Sequence, residues 1–301
     1  NILLDKKTDV FSGRVTGFED KSGSAVKASY VGGSMLSDVA VLEVKGDENL
    51  KKAAAAGTAT AVETEKNGVT AGEKVFAIGN PSGNGISVSQ GVVSVESEYI
   101  SMTAADDKTS TSFHVLRTDT AINPGNSGGG LFNAQGRLVG IVNAKTTASS
   151  SGTAVENMGY ALPISDVEAL ANNIIDTNGA PKKPYFGITV ASEEAHSEWN
   201  ETHDKLILKE TVRVASVAGK SNKDAGIGAG VFETDDVISS VAIERGGAEA
   251  LNVTVNTRAD FTNSMLYVRE GDTLRIQVKR GKNEGLVTLT FSITKDCLTY
   301  A

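Results

Sequence analysis

Ser127 stands in the segment Gly125-Asn126-Ser127-Gly128-Gly129, where a serine between glycines is a candidate nucleophile. Gly125 and Gly128 can adopt backbone angles that are closed to other residues, so the chain can turn sharply here. Such a turn can direct the N–H groups of Gly125 and Ser127 at one point, where they would stabilise an oxyanion. The sequence therefore predicts nucleophilic catalysis by Ser127, with an oxyanion hole formed by Gly125, Asn126 and Ser127. A glycine-rich hairpin without chemistry is the alternative.

Three strand-like segments surround this turn in the sequence and would position it. The segment Gln135 to Asn143 follows at hairpin spacing, with a turn and then an apolar strand. Upstream, Gly72 to Gly83 is a strand that ends in a turn, and Asp38 heads the apolar strand in Leu36 to Val44. In this order the segments closely resemble the HtrA/Deg family of trypsin-fold serine proteases, over residues 10–163. The resemblance implies a Ser–His–Asp triad in which Asp38 orients the general base.

The histidine of such a triad is missing from its expected place, because no histidine precedes Asp38. Two explanations remain open. The family pattern, aligned along the N-terminal residues, puts Thr8 in the position of the histidine, and a threonine cannot accept a proton near neutral pH. Loss of the base costs about 10⁶ in turnover, so Ser127 would then be inactive. Alternatively, the histidine lies upstream of Asn1, and the sequence is a fragment or a processed product that begins part-way through the first barrel.

The sequence has three histidines, His114, His196 and His203, and none is expected to act on Ser127. Alternation along an apparent strand points His114 away from the faces of Phe113 and Val115, so we predict a surface or barrel-face histidine. His196 and His203 lie in a stretch whose spacing matches no zinc pattern, which favours a solvated loop. We predict no metal and no other cofactor.

Composition is consistent with a turn-rich, glycine-rich protein of mostly β structure. The 301 residues suffice for two domains, and 32 of them are glycine. A net charge of −8 without a basic cluster argues against nucleic acid as a partner. Mean hydropathy is −0.13, and no apolar run is long enough to span a membrane. The single cysteine, Cys297, excludes an internal disulfide bond.

We divide the sequence into a trypsin-like serine protease domain at residues 1–166, a connecting helix and linker at residues 167–183, and a second domain at residues 184–301. Apolar residues between Val167 and Ile175 make one helical face, and Ser165 or Asp166 is the expected N-cap.

The second domain opens with Tyr185-Phe186-Gly187-Ile188, which resembles the carboxylate-binding loop of a PDZ domain. The resemblance implies that these residues present backbone N–H groups to the terminal carboxylate of a peptide, which adds a strand to the edge of the sheet. A PDZ fold that only packs against the barrel is the alternative.

The family resemblance also implies a primary specificity pocket lined by Ile122, Ile141, Val142 and Asn143. No acidic residue lies among them, so the pocket would accept small or medium apolar side chains better than lysine or arginine.

We therefore predict a mainly β fold, with a trypsin-like double β-barrel that lacks its first strands if the sequence is a fragment, and a C-terminal PDZ domain. The resemblance implies a bacterial, extracytoplasmic protein of the cell envelope, membrane-associated or secreted, that acts in protein quality control on unfolded polypeptides or peptide C-termini. A membrane would be contacted only through a segment outside this sequence, and a homo-trimer is the assembly that the family suggests. The predicted function is a peptide-binding pseudoprotease, with an active ATP-independent serine endopeptidase or a structural envelope component as alternatives.

Overall fold

A computed structural model describes residues 10–13, 26–58, 60–81, 85–103, 110–145, 157–202, 204–218, 226–281 and 285–301. Strands dominate the described residues, which confirms the mainly β prediction. The elements in chain order are β1 Val10–Gly13, β2 Val26–Ser34, β3 Val39–Glu43, α1 Glu48–Ala55, β4 Lys74–Gly79, β5 Ser87–Thr103, β6 Ser110–Thr118, β7 Gly130–Asn133, β8 Leu138–Lys145, β9 Gly159–Pro163, α2 Ile164–Thr177, β10 Lys182–Pro184, β11 Ile188–Asn200, β12 Lys205–Val217, β13 Val237–Arg245, β14 Ala248–Thr254, α3 Arg258–Leu266, β15 Thr273–Arg280, β16 Gly285–Ser292, a 3₁₀ turn Lys295–Cys297, and β17 Leu298–Tyr300.

The first half of the chain contains a small sheet and a closed barrel. Strands β1, β2 and β3 pair antiparallel in that order, and Asp38 lies in the turn between β2 and β3. The strands of the barrel follow the order β4-β5-β6-β9-β8-β7, with β7 pairing back to β4. Inward-facing apolar side chains such as Val75, Leu116 and Leu131 fill the barrel, because successive strand residues point to opposite faces.

Helix α2 leaves the barrel and differs at its start from the predicted helix. It begins at Ile164 with Pro163 as N-cap, so neither Ser165 nor Asp166 caps it. The fixed φ of proline places the chain at the helix entrance, and Asp166 lies in the first turn, where the helix dipole favours an acid. The helix ends at Thr177, because Asn178 takes the left-handed conformation that stops it.

The residues predicted as a linker form a strand instead. Strand β10, Lys182–Pro184, pairs antiparallel with β17 near the C-terminus. Asn173 of α2 is fully buried and fixes this segment: it donates to the carbonyls of Lys182 and Leu266 and accepts from the N–H of Lys182, at 2.6–2.8 Å. Every polar atom of this buried amide therefore has a partner, as burial requires.

The C-terminal half is built on one antiparallel sheet. Its strands follow the order β11-β12-β13-β15-β16, and β14 pairs with β13. Its core contains Phe186, Phe232 and Phe291, and the ring of Phe186 meets the other two edge-on at centroid distances of 5.7 and 5.3 Å. Helix α3 packs over this core, and its Thr257–Asp260 capping box fixes its start. Within the described ranges, no helix is both long and apolar enough to cross a membrane.

Candidate active site

The loop that carries Ser127 runs from the end of β6 to the start of β7. Gly125 and Gly128 have φ values of 102° and 83°, in the region that favours glycine, as the sequence predicts. Strand β8 fixes the loop: Val142 accepts from the N–H of Gly128 at 2.7 Å and donates to the carbonyl of Gly129 at 2.9 Å. Ser127 is exposed, and its hydroxyl has no hydrogen-bond partner among the described residues.

The backbone donors of the predicted oxyanion hole are not equivalent. The N–H of Asn126 donates to the carbonyl of Asn123 at 2.9 Å, so it is unavailable to a ligand. The N–H groups of Gly125 and Ser127 have no acceptor in the part of the chain that the structure describes. Two of the three residues predicted for the hole thus keep a free donor. The side chain of Asn126 is 4% exposed, and its amide donates to the carbonyl of Ala121 at 3.4 Å within the same loop.

Gly79 lets β4 approach the serine loop. A Cβ atom added at Gly79 would lie 2.4 Å from Oδ1 and 2.8 Å from Cα of Asn126. The loop can therefore seat against β4 only because residue 79 has no side chain.

Asp38 lies in a turn at φ 51° and accepts a hydrogen bond of 2.7 Å from the side-chain amide of Asn143. Partial burial raises the pKa of the Asp38 carboxyl. Asn143 follows Val142, which holds the serine loop, so β8 links the acid to that loop. Sequence reasoning assigned Asn143 to the specificity pocket and missed this contact, which spans 105 positions. Thr8 lies outside the described residues.

The predicted specificity residues do not all face one cavity. A cavity of about 130 Å³ lies beside the serine loop, lined by Thr120, Ala121, Ile122, Asn123, Asn157, Met158 and Gly159. Ile122 is among them, although most of its side chain packs in the barrel. Val142 is 1% exposed, belongs to the barrel core and does not line this cavity. Strand alternation turns Ile141 and Asn143 to the opposite face from Val142.

His114 does not serve Ser127, because both of its ring nitrogens have other partners. Nε2 lies 2.8 Å from Oγ of Ser97, and Nδ1 lies 2.6 Å from Oδ2 of Asp166. Alternation predicted a surface or barrel-face histidine, whereas the side chain of His114 is only 12% exposed, and nothing local in the sequence pointed to Asp166, 52 positions away. His196 is exposed on the β11–β12 hairpin, and His203 lies outside the described residues.

Comparison with known proteins agrees with this geometry. Residues 5–141 match the family model for a trypsin-like peptidase domain. The serine protease Do-like HtrB of Bacillus subtilis is 32% identical over 285 residues, which cover 91% of this chain and 55% of that protein. The serine protease Do-like HtrA of Lactococcus lactis subsp. cremoris is 32% identical over 269 residues, covering 87% of this chain and 62% of that protein. The chain is a homologue of the HtrA/Do-like serine proteases.

A solved structure supports the assignment of this HtrA homologue. The HtrA-type protease AlgW, described with a decapeptide, matches with a TM-score of 0.51 and 26% sequence identity, over 92% of this chain and 74% of that one. The trypsin-like fold prediction is thereby confirmed. The chain spans 55–62% of the length of the two curated relatives above.

A second candidate site of this HtrA homologue lies at the start of its C-terminal sheet. The carbonyls of Tyr185 and Phe186 accept from the N–H groups of Ile227 and Gly228, at 2.9 and 3.1 Å. Phe186 is anchored in the core at 6% exposure. The N–H groups of Phe186 and Gly187 have no acceptor among the described residues, so this turn offers two donors to a ligand.

Proposed function

We propose that this HtrA homologue binds the termini of extended polypeptides in its C-terminal sheet, and that its barrel is a pseudoprotease in which Thr8 replaces the catalytic histidine. We further propose a PDZ domain at residues 184–301, a connecting segment at 167–183, a protease-like domain at 1–166, and an extracytoplasmic location. The observation that carries the proposal is a free sheet edge beside a turn with two unpaired N–H donors.

The edge strand β11 is suited to pairing with a peptide. It ends the order of the sheet and pairs only with β12 among the described strands, so its other edge is available to an added strand. Ile188 and Val190 on one face of β11 pack against the core beside α3. A peptide along this edge would place alternate side chains over the same apolar face.

A carboxylate bridges β11 and α3 at the far end of this edge, and the space between them is the groove that we propose for the peptide. Oε2 of Glu210 accepts from the hydroxyl of Ser192 on β11 and from the backbone N–H of Arg258 on α3, each at 2.8 Å. This bridge ties β11 to α3 just beyond residue 191. We therefore expect the groove to hold the last few residues of a ligand, whose carboxylate contacts the N–H groups of Phe186 and Gly187.

The pseudoprotease part of the proposal is supported by the surroundings of Ser127. No base contacts its hydroxyl in the described part of the chain, and His114 is held by Ser97 and Asp166. A threonine at position 8 would leave Ser127 without a proton acceptor.

An active serine endopeptidase is the second candidate, and the serine loop favours it. Gly125 and Gly128 keep the required turn, and two oxyanion-hole donors remain free. This function requires a histidine upstream of Asn1.

Peptide binding is tested by fluorescence anisotropy with a labelled hexapeptide that ends in valine, against the same peptide with an amidated C-terminus. A hydrogen bond to a charged group contributes about 1.5–3 kcal/mol, so amidation should weaken binding at least about 10-fold. Equal affinity for both peptides, or no binding to folded protein, contradicts the proposal.

Protease activity is tested with the complete natural polypeptide, including any residues before Asn1, in a casein assay with a Ser127→Ala control. Cleavage that the control lacks would establish the endopeptidase and refute the pseudoprotease. No cleavage by either folded protein would support Thr8 as the replacement.

A further inference from the structure

Ser97, His114 and Asp166 form a hydrogen-bonded chain outside the Ser127 site. The hydroxyl of Ser97 lies 2.8 Å from Nε2 of His114, and Nδ1 of the same ring lies 2.6 Å from Oδ2 of Asp166. A carboxylate can only accept, so the N–H of Nδ1 donates to Asp166, and in the neutral imidazole Nε2 can then accept from Ser97. This is the connectivity of a nucleophile, a general base and an orienting acid.

Each of these three residues lies on a different element. Ser97 lies where β5 bulges against β6, between the pairs Val95↔Arg117 and Glu98↔Val115. Such a bulge re-aims a side chain out of the regular strand alternation. The bulge thus presents the Ser97 hydroxyl to the imidazole.

The acid is fixed more firmly than a surface carboxylate. Oδ1 of Asp166 accepts from the side-chain amide of Asn263 at 2.6 Å and from the hydroxyl of Ser165 at 3.0 Å. The ring of Tyr99 lies against the imidazole at a centroid distance of 5.1 Å. The side chains of His114 and Asp166 are 12% and 20% exposed, so the group is largely withdrawn from water yet open at its edge.

We propose that Ser97 is a second nucleophilic serine of this chain, covalently modified by small activated phosphonyl or acyl reagents with His114 as base and Asp166 as its orienting acid. With a fluorophosphonate, the bond from Ser97 Oγ to phosphorus forms while the phosphorus–fluorine bond breaks and fluoride leaves. The Ser97 proton passes to Nε2 of His114, and Asp166 stabilises the imidazolium.

The surroundings restrict the reagent to a small one. The guanidinium of Arg258 lies 3.5 Å from the centroid of the Tyr99 ring, and Asn263 covers one side of Asp166. None of these residues belongs to the Ser127 loop or to β11. The proposal is therefore independent of peptide binding at β11 and of cleavage by Ser127.

The test uses the full chain with Ser127→Ala, so that Ser127 cannot react, and a small alkyl fluorophosphonate. Peptide mapping by mass spectrometry should find the adduct on Ser97, and the further change Ser97→Ala should abolish it. Ser94→Ala is the matched control, because Ser94 is an exposed serine of the same strand and has no histidine partner among the described residues. It should leave the adduct unchanged.

The rate at which Ser97 is modified in variants of its base distinguishes activation by His114 from uncatalysed reaction of an accessible serine. A general base contributes about 10²–10⁴-fold, so His114→Gln should slow modification of Ser97 at least about 100-fold. Asp166→Asn keeps the shape of the acid and should also slow it, which provides a second variant if His114→Gln does not fold. An unmodified Ser97 in the folded Ser127→Ala protein, or a rate indifferent to a folded His114 or Asp166 variant, overturns the proposal.

Discussion

Replacement of Gly79 by alanine should disturb the serine loop through one added methyl group. The new Cβ would lie 2.8 Å from Cα of Asn126, whereas ordinary contacts begin at 3.4 Å, so strand and loop must separate by roughly 0.6 Å. Asn126 is buried and its backbone is bonded to Asn123, so it cannot simply rotate away. Overpacking of this kind costs about 1–3 kcal/mol.

The assay is thermal unfolding followed by circular dichroism, with Gly179→Ala as the control, because a Cβ at Gly179 meets nothing within 4 Å. At about 2–4 °C for each kcal/mol, Gly79→Ala should lower Tm by about 2–12 °C. The control should stay within about 0.5 kcal/mol of the parent. If Gly79→Ala is as stable as Gly179→Ala, the loop does not depend on this close approach and our account of the site is wrong.

Three further predictions concern the C-terminal half, each measured by urea unfolding. Arg245→Met should lower the free energy of unfolding by about 3 kcal/mol, because it leaves the buried Asp272 carboxylate without the guanidinium that donates two hydrogen bonds to it. Adding Asp272→Asn should restore part of this loss, and a double variant with no recovery would contradict the prediction. Burial raises the pKa of Asp260, so the ionised form of this side chain lowers the stability of the folded state. As the pH falls, the folded state takes up a proton at a higher pH than the unfolded chain does. Stability of the parent relative to Asp260→Asn should therefore rise from pH 7 to about pH 4; a constant difference would refute the burial argument. Phe186→Ala should cost about 3–5 kcal/mol and the exposed control Leu286→Ala almost nothing, and equal effects would exclude Phe186 as a core anchor.

Features that depend on a few consecutive residues could be predicted from the sequence. The positive φ angles of Gly125 and Gly128 follow from a serine turn that other residues cannot form. Asn178 favours the left-handed conformation that ends a helix, so the end of α2 follows from helix capping. The start of α2 was misplaced, because Ser165 and Asp166 are good caps in isolation but Pro163 already fixes the entrance to the helix.

Contacts between elements that are distant in the sequence could not be predicted. Strand pairing and side-chain packing bring such elements together, and neither process leaves a local pattern in the sequence. Asn143 was placed in a pocket, yet the pairing of β8 with its neighbours turns it to Asp38. Lys182 and Lys183 were predicted to lie in a linker, but pairing with the backbone of β17 makes Lys182–Pro184 a strand.

The sequence by itself determined the serine turn, the family and the mainly β class, since these depend on residue type and spacing along the chain. Tertiary structure alone decided which groups share a hydrogen bond. The partners of His114 come from β5 and α2, and only the pairing of β5 with β6 and docking of that helix bring Ser97 and Asp166 to opposite nitrogens of one ring. Hydrogen bonds act over about 3 Å, so such a site exists only after the fold has removed the separation along the chain.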